Sequence, residues 1–282
     1  MWHAAHAALY WTDINRFLIH RFTAGDQCVR TWFFAEPVTA LVLTDRDDVL
    51  AVVLGSRVIL WEPGSDVRRE RGFHLDGWPK VRLNDARADP RGSLWVGSMR
   101  NNVNPDGSNG EAGGADGVLH RIDPDGAITI FRRDVGISNT IAWSPDGRRF
   151  YFGDSLANVI WVYDYDPKTG SIQNERPFLK DFSRGIPDGS TVDSEGYLWN
   201  CRYYGGCIVR VAPDGTIDRV IEMAAKNITT CTFGGPDLKT LYITTAASEA
   251  PPGDRLAGGL FALQSTVAGL SENRFCVFRQ KL

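Results

Sequence analysis

The sequence predicts an all-β fold, a six-bladed β-propeller, from three observations. Tight-turn motifs recur along the chain, short apolar or aromatic runs follow them, and the runs return at long, similar intervals. These runs begin at Leu9, Leu50, Leu94, Phe150, Leu198 and Leu241. The successive separations are 41, 44, 56, 48 and 43 residues. Because one propeller blade takes about 40 to 50 residues, we interpret residues 1–282 as a single propeller domain.

The turn residues explain why strands are expected at these places. Glycine, aspartate and proline form tight turns, and β-branched and aromatic residues after them favour extended chain. The clearest turns are Asp89–Gly92, Ser144–Gly147 and Asp193–Gly196. A Gly/Asn/Asp-rich stretch at 101–117, predicted to be a long loop, accounts for the largest interval. A two-sheet sandwich is the competing all-β fold, but its turns recur about every 8 to 12 residues without the longer period.

Composition and charge exclude several classes of protein. Hydrophobic residues make up 43% of the chain and charged residues 23%, which is typical of a globular protein. The formal net charge of -3 argues against nucleic-acid binding, since such proteins usually carry a basic surplus. The 9 Trp, 8 Tyr and 14 Phe argue against a disordered chain.

The lack of a recognisable targeting signal and the cysteine usage favour a cytoplasmic protein. The first 22 residues lack the basic start and continuous apolar stretch of a signal peptide, and no run is long enough to span a membrane. The five cysteines contain no Cys-x-x-Cys pair and are interpreted as reduced thiols. We therefore expect a monomer or weak homo-oligomer that binds neither nucleic acid nor a membrane.

Polar residues occur at equivalent places ahead of three of the turns. Asn84 precedes Asp89 by five residues, and Asp188 precedes Asp193 by the same number. Asn139 precedes the next turn aspartate, Asp146, by seven. In a propeller the strands nearest the axis end at a central channel, so these side chains are expected to converge there.

The chemistry of these residues leaves two interpretations open. Asn and Asp supply oxygen ligands, which suit hard divalent cations, and a bound cation polarises a substrate carbonyl that water attacks. Alternatively, Asn and Asp near turns only make local hydrogen bonds to the backbone.

Several short segments together resemble the SMP-30/gluconolactonase/regucalcin family, in order along nearly the whole chain. They are Leu9–Ile14, Arg82–Asp85, Asp89–Gly92, Gly97–Met99, Ser138–Ser144 and Pro187–Gly189. The resemblance implies a six-bladed propeller that hydrolyses sugar lactones with one divalent cation, which is Ca²⁺, Zn²⁺, Mn²⁺ or Mg²⁺. It implies that Asn139 and Asp188 are metal ligands and that Asp188 also activates the water. It further implies that Arg82 and Asn84 contact the substrate, with Asn84 close enough to the metal to be a ligand.

Two positions depart from the family pattern. The family's remaining metal ligand is a Glu in a Glu-x-Pro-x-Trp segment, and Trp2 matches that Trp, so the Glu position falls before residue 1. Either the translation start lies upstream of Met1, or the site has one carboxylate fewer and is expected to bind a divalent cation more weakly. The second departure is at Asn101 and Asn102, where some members carry acidic residues that face the substrate. Asn102 is therefore predicted to bind substrate, with the sugar preference left open.

Other functions remain as alternatives. One is a metal-dependent esterase or phosphotriesterase, and another is a calcium-binding propeller without catalytic activity. His3 and His6 are three residues apart but lack a third ligand, so they are only a weak indication of a metal site, and we do not expect one there. No Gly-x-Ser-x-Gly motif is present to indicate a serine hydrolase.

Overall fold

The computed structural model describes residues 1–25, 27–250 and 252–277. Within them the chain forms 23 β-strands and one short 3-10 helix, Ala4–His6. No helix in this part of the chain is long and apolar enough to cross a bilayer, and no disulfide links any of the five cysteines. The contacts divide the chain into two compact units, residues 1–138 with the segment from 272, and residues 139–271.

The first unit contains three four-stranded antiparallel sheets. The first sheet has β1 (Trp2–His3), β2 (Ala8–Asp13), β3 (Leu18–Thr23) and β4 (Cys28–Phe33). The second has β5 (Val38–Leu43), β6 (Leu50–Leu54), β7 (Arg57–Glu62) and β8 (Val67–His74). The third has β9 (Val81–Ala88), β10 (Leu94–Arg100), β11 (Gly117–Ile122) and β12 (Ile128–Val135).

The second unit contains two four-stranded sheets and one three-stranded sheet among its described residues. The first has β13 (Ser138–Trp143), β14 (Arg149–Asp154), β15 (Val159–Tyr165) and β16 (Ile172–Lys180). The next has β17 (Ile186–Val192), β18 (Leu198–Tyr203), β19 (Cys207–Val211) and β20 (Ile217–Glu222). The last has β21 (Ile228–Gly234), β22 (Thr240–Thr245) and β23 (Leu260–Gln264).

These six antiparallel sheets confirm the predicted fold class, a six-bladed β-propeller. Each apolar run found in the sequence lies on the second strand of its sheet. The reason is burial: β6 and β10 are almost wholly buried, whereas the fourth strands β4 and β20 are mostly exposed. The single-domain interpretation, the cytoplasmic location and the oligomeric state stay predictions.

The sequence did not show which segments complete the sheets near the chain ends. In the first unit Trp2 and His3 add a short strand beside β2. The described C-terminal segment also packs in this unit, where Phe275 forms a parallel bridge with Thr44 and the Cys276 amide donates to the carbonyl of Gly92 at 2.9 Å. The C-terminal pairings join residues more than a hundred positions apart in the sequence, so no local pattern predicts them.

Candidate active site

The three residues predicted to bind substrate come together in the first unit. Arg82 and Asn84 lie on β9, and Asn102 begins the loop after β10. The Arg82 guanidinium donates to the Asn102 side-chain oxygen from Nε at 3.1 Å and from Nη2 at 2.7 Å. Its Nη1 donates to the Asn84 oxygen at 2.6 Å. Arg82 is buried and Asn102 half-buried, so the two amides hold a largely desolvated positive charge in one orientation.

The contact with Arg82 also fixes the orientation of the Asn84 side chain. A guanidinium only donates hydrogen bonds, so the side of the amide that faces it must be the oxygen. The Asn84 nitrogen accordingly donates to the carbonyl oxygen of Ser138 at 2.8 Å. The predicted ligand atom of Asn84 is therefore already used by a cationic side chain, and the role of Asn84 as a metal ligand stays a prediction.

The loop at 101–117 is held by specific contacts at both its base and its tip. A bridge between Val103 and Asn109 makes a small hairpin, and the Gly110 amide donates to the Asn102 carbonyl at 2.8 Å. At the tip, the Asn15 side chain donates to the carbonyl of Gly107 and to the side-chain oxygen of Asn109, both at 2.8 Å. These contacts fix the backbone that presents Asn102 to Arg82.

Two of the three residues predicted to bind the cation lie in the second unit, where a serine links one of them to the peptide that enters the other. Asn139 lies on β13 and is buried, and Asp188 lies on β17 and is half-buried. The Asn139 side-chain nitrogen donates to Ser155 Oγ at 2.8 Å, and Ser155 Oγ donates to the carbonyl of Pro187 at 2.6 Å. Pro187 directly precedes Asp188, so one hydroxyl links Asn139 to the peptide that enters Asp188. Ser155 was missed because a serine after a strand carries no signal of its own in the sequence.

Two further side chains hold the backbone of Asp188. Thr140 Oγ1 donates to the Asp188 carbonyl at 2.6 Å, and the Asn200 side chain donates to it at 3.2 Å. The backbone of Thr140 has a φ of 52°, a left-handed conformation that costs a β-branched residue about 1 to 3 kcal/mol. Neighbouring hydrogen bonds offset this strain, which lies next to Asn139.

Arg202 supports this network from β18. It is 1% exposed, and its Nη1 donates to the Asn200 side-chain oxygen at 3.2 Å while its Nη2 donates to the Asn158 side-chain oxygen at 2.6 Å. Burial lowers the pKa of Arg202 to about 10, so the guanidinium stays protonated at neutral pH. Since it can only donate, it fixes the Asn200 oxygen toward itself and leaves the Asn200 nitrogen for Asp188.

Bulges in the first strands of two sheets set the directions of the candidate side chains. In β17, Asp188 and Gly189 together face one residue of β18, between the pairs Pro187–Arg202 and Ser190–Asn200. Asn84 and Asp85 form the same two-against-one arrangement in β9, opposite Gly97. A bulge turns a side chain away from the regular alternation of a strand, and such bulges are frequent at active sites.

A phenol on β18 belongs to the surroundings of Asp188. Burial raises the pKa of Tyr203, and the negative charges of Glu249 and Asp188 add to the effect. The Tyr203 hydroxyl therefore stays protonated and donates to the carbonyl of Ser248 at 3.3 Å. The sequence analysis did not select Tyr203, because aromatic residues in propellers usually serve packing.

The donor set around Asn139 and Asp188 suits a hard cation better than a soft one. In the part of the chain that the structure describes, no three His, Cys, Asp or Glu side chains cluster as metal ligands. One amide oxygen and one carboxylate are the oxygen donors that Ca²⁺, Mg²⁺ and Mn²⁺ prefer. The residues present therefore fit a cation of this type.

Comparison with known proteins places the chain in a family. The sequence-family model described as the SMP-30/Gluconolactonase/LRE-like region matches residues 1–247, which is most of the chain. The protein belongs to this family. This confirms the resemblance seen in the segments around Arg82, Asn139 and Asp188.

Within the SMP-30/gluconolactonase family, similar proteins match along nearly their full length. A pentonolactonase of Haloferax volcanii is 35% identical over 97% of this chain and 92% of its own. An L-arabinolactonase of Azospirillum brasilense is 34% identical over 95% of this chain and 88% of its own. Among solved structures, a calcium-binding protein, regucalcin, from Agrobacterium tumefaciens superposes with a TM-score of 0.90 at 25% identity, covering 98% of this chain and 92% of its own.

Proposed function

We propose that this protein is an enzyme that opens a sugar lactone to its sugar acid, with one divalent cation. Family membership and the names of the relatives support lactone hydrolysis, since two of them are a pentonolactonase and an L-arabinolactonase. The observation that carries the proposal is the linkage of Asn139 to the peptide entering Asp188 through Ser155. That linkage holds the Asn139 amide beside the backbone that carries the Asp188 carboxylate, and a cation-assisted hydrolytic site requires supported ligands of this kind.

The reaction assigns a proton transfer to Asp188. Water adds to the lactone carbonyl carbon, the ester bond to the ring oxygen breaks, and that oxygen takes a proton as the hydroxy acid forms. Asp188 is the proposed base that accepts the proton from the water and returns it to the leaving oxygen. The bound cation would polarise the lactone carbonyl, with Asn139 and Asp188 as ligands. Arg82, Asn84 and Asn102 are the proposed hydrogen-bonding partners of the sugar hydroxyls.

The direct test is an assay of chelated and reconstituted protein on γ- and δ-aldonolactones, against a blank without enzyme. Chelation should abolish turnover, and Mn²⁺, Mg²⁺, Zn²⁺ or Ca²⁺ should restore it to different extents. Asp188→Ala should lower kcat by about 10²- to 10⁴-fold, the usual contribution of a general base. Asp181→Ala, which removes an exposed carboxylate seven residues earlier, is the matched control and should keep wild-type kcat. Wild-type turnover by Asp188→Ala would contradict the mechanism.

A calcium-binding function without turnover is the second candidate, because one structural relative is described as a calcium-binding protein. The assay distinguishes the two. Calorimetric binding of Ca²⁺ with no hydrolysis of any aldonolactone under any cation would favour this candidate over the lactonase.

A further inference from the structure

We propose that Ser155 is a positioning residue that decides which end of the Asn139 side-chain amide faces the cation. The inference rests on the proposed function, because it assumes that the Asn139 oxygen is a ligand. It concerns three side-chain and backbone groups, all in the second unit: the Asn139 amide, the Ser155 hydroxyl and the Pro187 carbonyl.

The assignment follows from counting protons. A serine hydroxyl has one proton to donate, and a backbone carbonyl can only accept. Ser155 Oγ lies 2.6 Å from the Pro187 carbonyl oxygen, so its proton is committed there. Toward Asn139, at 2.8 Å, the same oxygen must accept, and only the Asn139 nitrogen can donate to it. The Asn139 oxygen is therefore directed to the opposite side of the amide.

Burial makes this arrangement persistent. Ser155 is 2% exposed and Asn139 is 7% exposed, so solvent is poorly placed to replace either hydrogen bond. Without Ser155 the Asn139 nitrogen loses this acceptor, so the hydroxyl no longer selects one orientation of the amide. Groups that orient a ligand in this way typically change metal affinity by about 10- to 100-fold when they are removed.

The same argument explains why residue 139 is an amide although a carboxylate would bind a cation more strongly. An aspartate there offers Ser155 only acceptors, so the two oxygens repel unless the hydroxyl abandons Pro187. Asn139→Asp should therefore improve Mn²⁺ binding less in the presence of Ser155 than in the Ser155→Ala background. The difference is a coupling that a double-mutant cycle measures.

The first experiment uses chelated, ¹⁵N-labelled protein, so that it does not depend on activity or on a cation. The Asn139 side-chain NH₂ signals, identified by their loss in Asn139→Asp, should exchange with solvent at least about tenfold faster in Ser155→Ala. Ser93→Ala is the control, since Ser93 is 1% exposed and its hydroxyl donates to Asp123 at 2.7 Å. It should leave the Asn139 signals unchanged.

The second experiment titrates Mn²⁺ alone into the same variants by calorimetry. Ser155→Ala should raise the Kd by about 10- to 100-fold, with Ser93→Ala at the wild-type value. The proposal would be overturned if Asn139 exchanged at the wild-type rate in Ser155→Ala. It would also be overturned if the wild-type protein bound Mn²⁺ and Ser155→Ala bound it with the same Kd. Faster Asn139 exchange in a protein that binds none of Mn²⁺, Mg²⁺, Zn²⁺ and Ca²⁺ would support the positioning by Ser155 and contradict the proposed function.

Discussion

At the scale of single residues, the candidate site depends on neutral side-chain amides. Neighbouring hydrogen-bonding groups determine which way the oxygen and the nitrogen of each amide point. Asn84 and Asn200 turn their oxygens toward arginines, Arg82 and Arg202, which can only donate. Asn139 turns its nitrogen toward a hydroxyl whose proton is already used. A carboxylate would need no such arrangement, because both of its oxygens accept. The residues that orient the amides are therefore part of the site.

Arg82 offers a test at this scale. Its planar guanidinium reaches Asn84 and Asn102 at once, which the single ammonium of a lysine cannot reproduce. Arg82→Lys should lower kcat/KM for the preferred lactone by about 10- to 100-fold, chiefly through KM, with the Kd for Mn²⁺ unchanged. Arg176→Lys, at an exposed ion pair with Asp164, is the control and should keep wild-type kinetics. Wild-type KM in Arg82→Lys would show that this arginine does not bind substrate.

At the scale of elements, the recurring turns are locked to the strands that follow them. Asp193 Oδ1 accepts from the amides of Glu195 and Tyr197 at 3.0 Å, and its Oδ2 accepts from the Trp199 indole at 2.8 Å. Arg210 also donates to that Oδ2, at 2.7 Å. Asp89 and Trp95 repeat the indole contact at 2.9 Å. In these two turns the Asp and the Trp of the next strand are thus one structural unit.

Removing the turn aspartate should therefore be costly. Asp193→Ala leaves the buried Arg210 and the Trp199 indole without this acceptor, and should lower the free energy of unfolding by about 3 to 5 kcal/mol in urea titrations. Asp214→Ala removes an aspartate from an exposed turn, where it accepts from Thr216, and should cost about 1 kcal/mol or less. If Asp193→Ala does not fold, Asp193→Asn provides the measurement. Equal losses at residues 193 and 214 would contradict the argument.

At the scale of the whole molecule, a buried histidine makes stability depend on pH. His3 is 0% exposed, stacks on His6 at 3.7 Å and hydrogen-bonds to the Asp47 carbonyl at 3.0 Å. Burial, with the neighbouring His6 as a smaller cause, lowers the pKa of His3 to about 4. The charge of Asp47 opposes this shift and that of Arg274 adds to it.

The direction of the pH effect follows from proton binding. In the unfolded chain His3 has a pKa near 6.5 and binds a proton below that pH. In the folded protein His3 binds the proton only near pH 4. The free energy of unfolding should therefore fall as the pH drops from about 6.5 to 4, by up to about 3 kcal/mol from His3. Urea titrations across this range should show a shallower fall in His3→Phe, which keeps the stack on His6. His74→Gln, at an exposed site, is the control and should keep the wild-type dependence of the free energy of unfolding on pH. If His3→Phe showed that same dependence, His3 would not be its cause.

The fold could be predicted from the sequence because its signals are local. Aspartate, proline and glycine set each turn, and the apolar strand follows within a few residues, so the period of the sheets can be counted along the chain. The resemblance to the family also predicted the candidate site residues, which are Arg82, Asn84, Asn102, Asn139 and Asp188. It gave no reason for Ser155, Asn200 or Arg202.

Only the tertiary structure showed that these three residues support the candidate site. Ser155, which follows β14, is 16 residues from Asn139 on β13 and 32 from Pro187 on β17. Asn200 on β18 is 12 residues from Asp188 on β17. A serine or an asparagine at such distances carries no pattern in the sequence, since its partner depends on strand register and on bulges. The sequence by itself therefore determined which strands form and which side chains are the candidates for the chemistry. The packing of the strands determined which atom of each side chain faces its partner, because a hydrogen bond depends on the placement of a single proton.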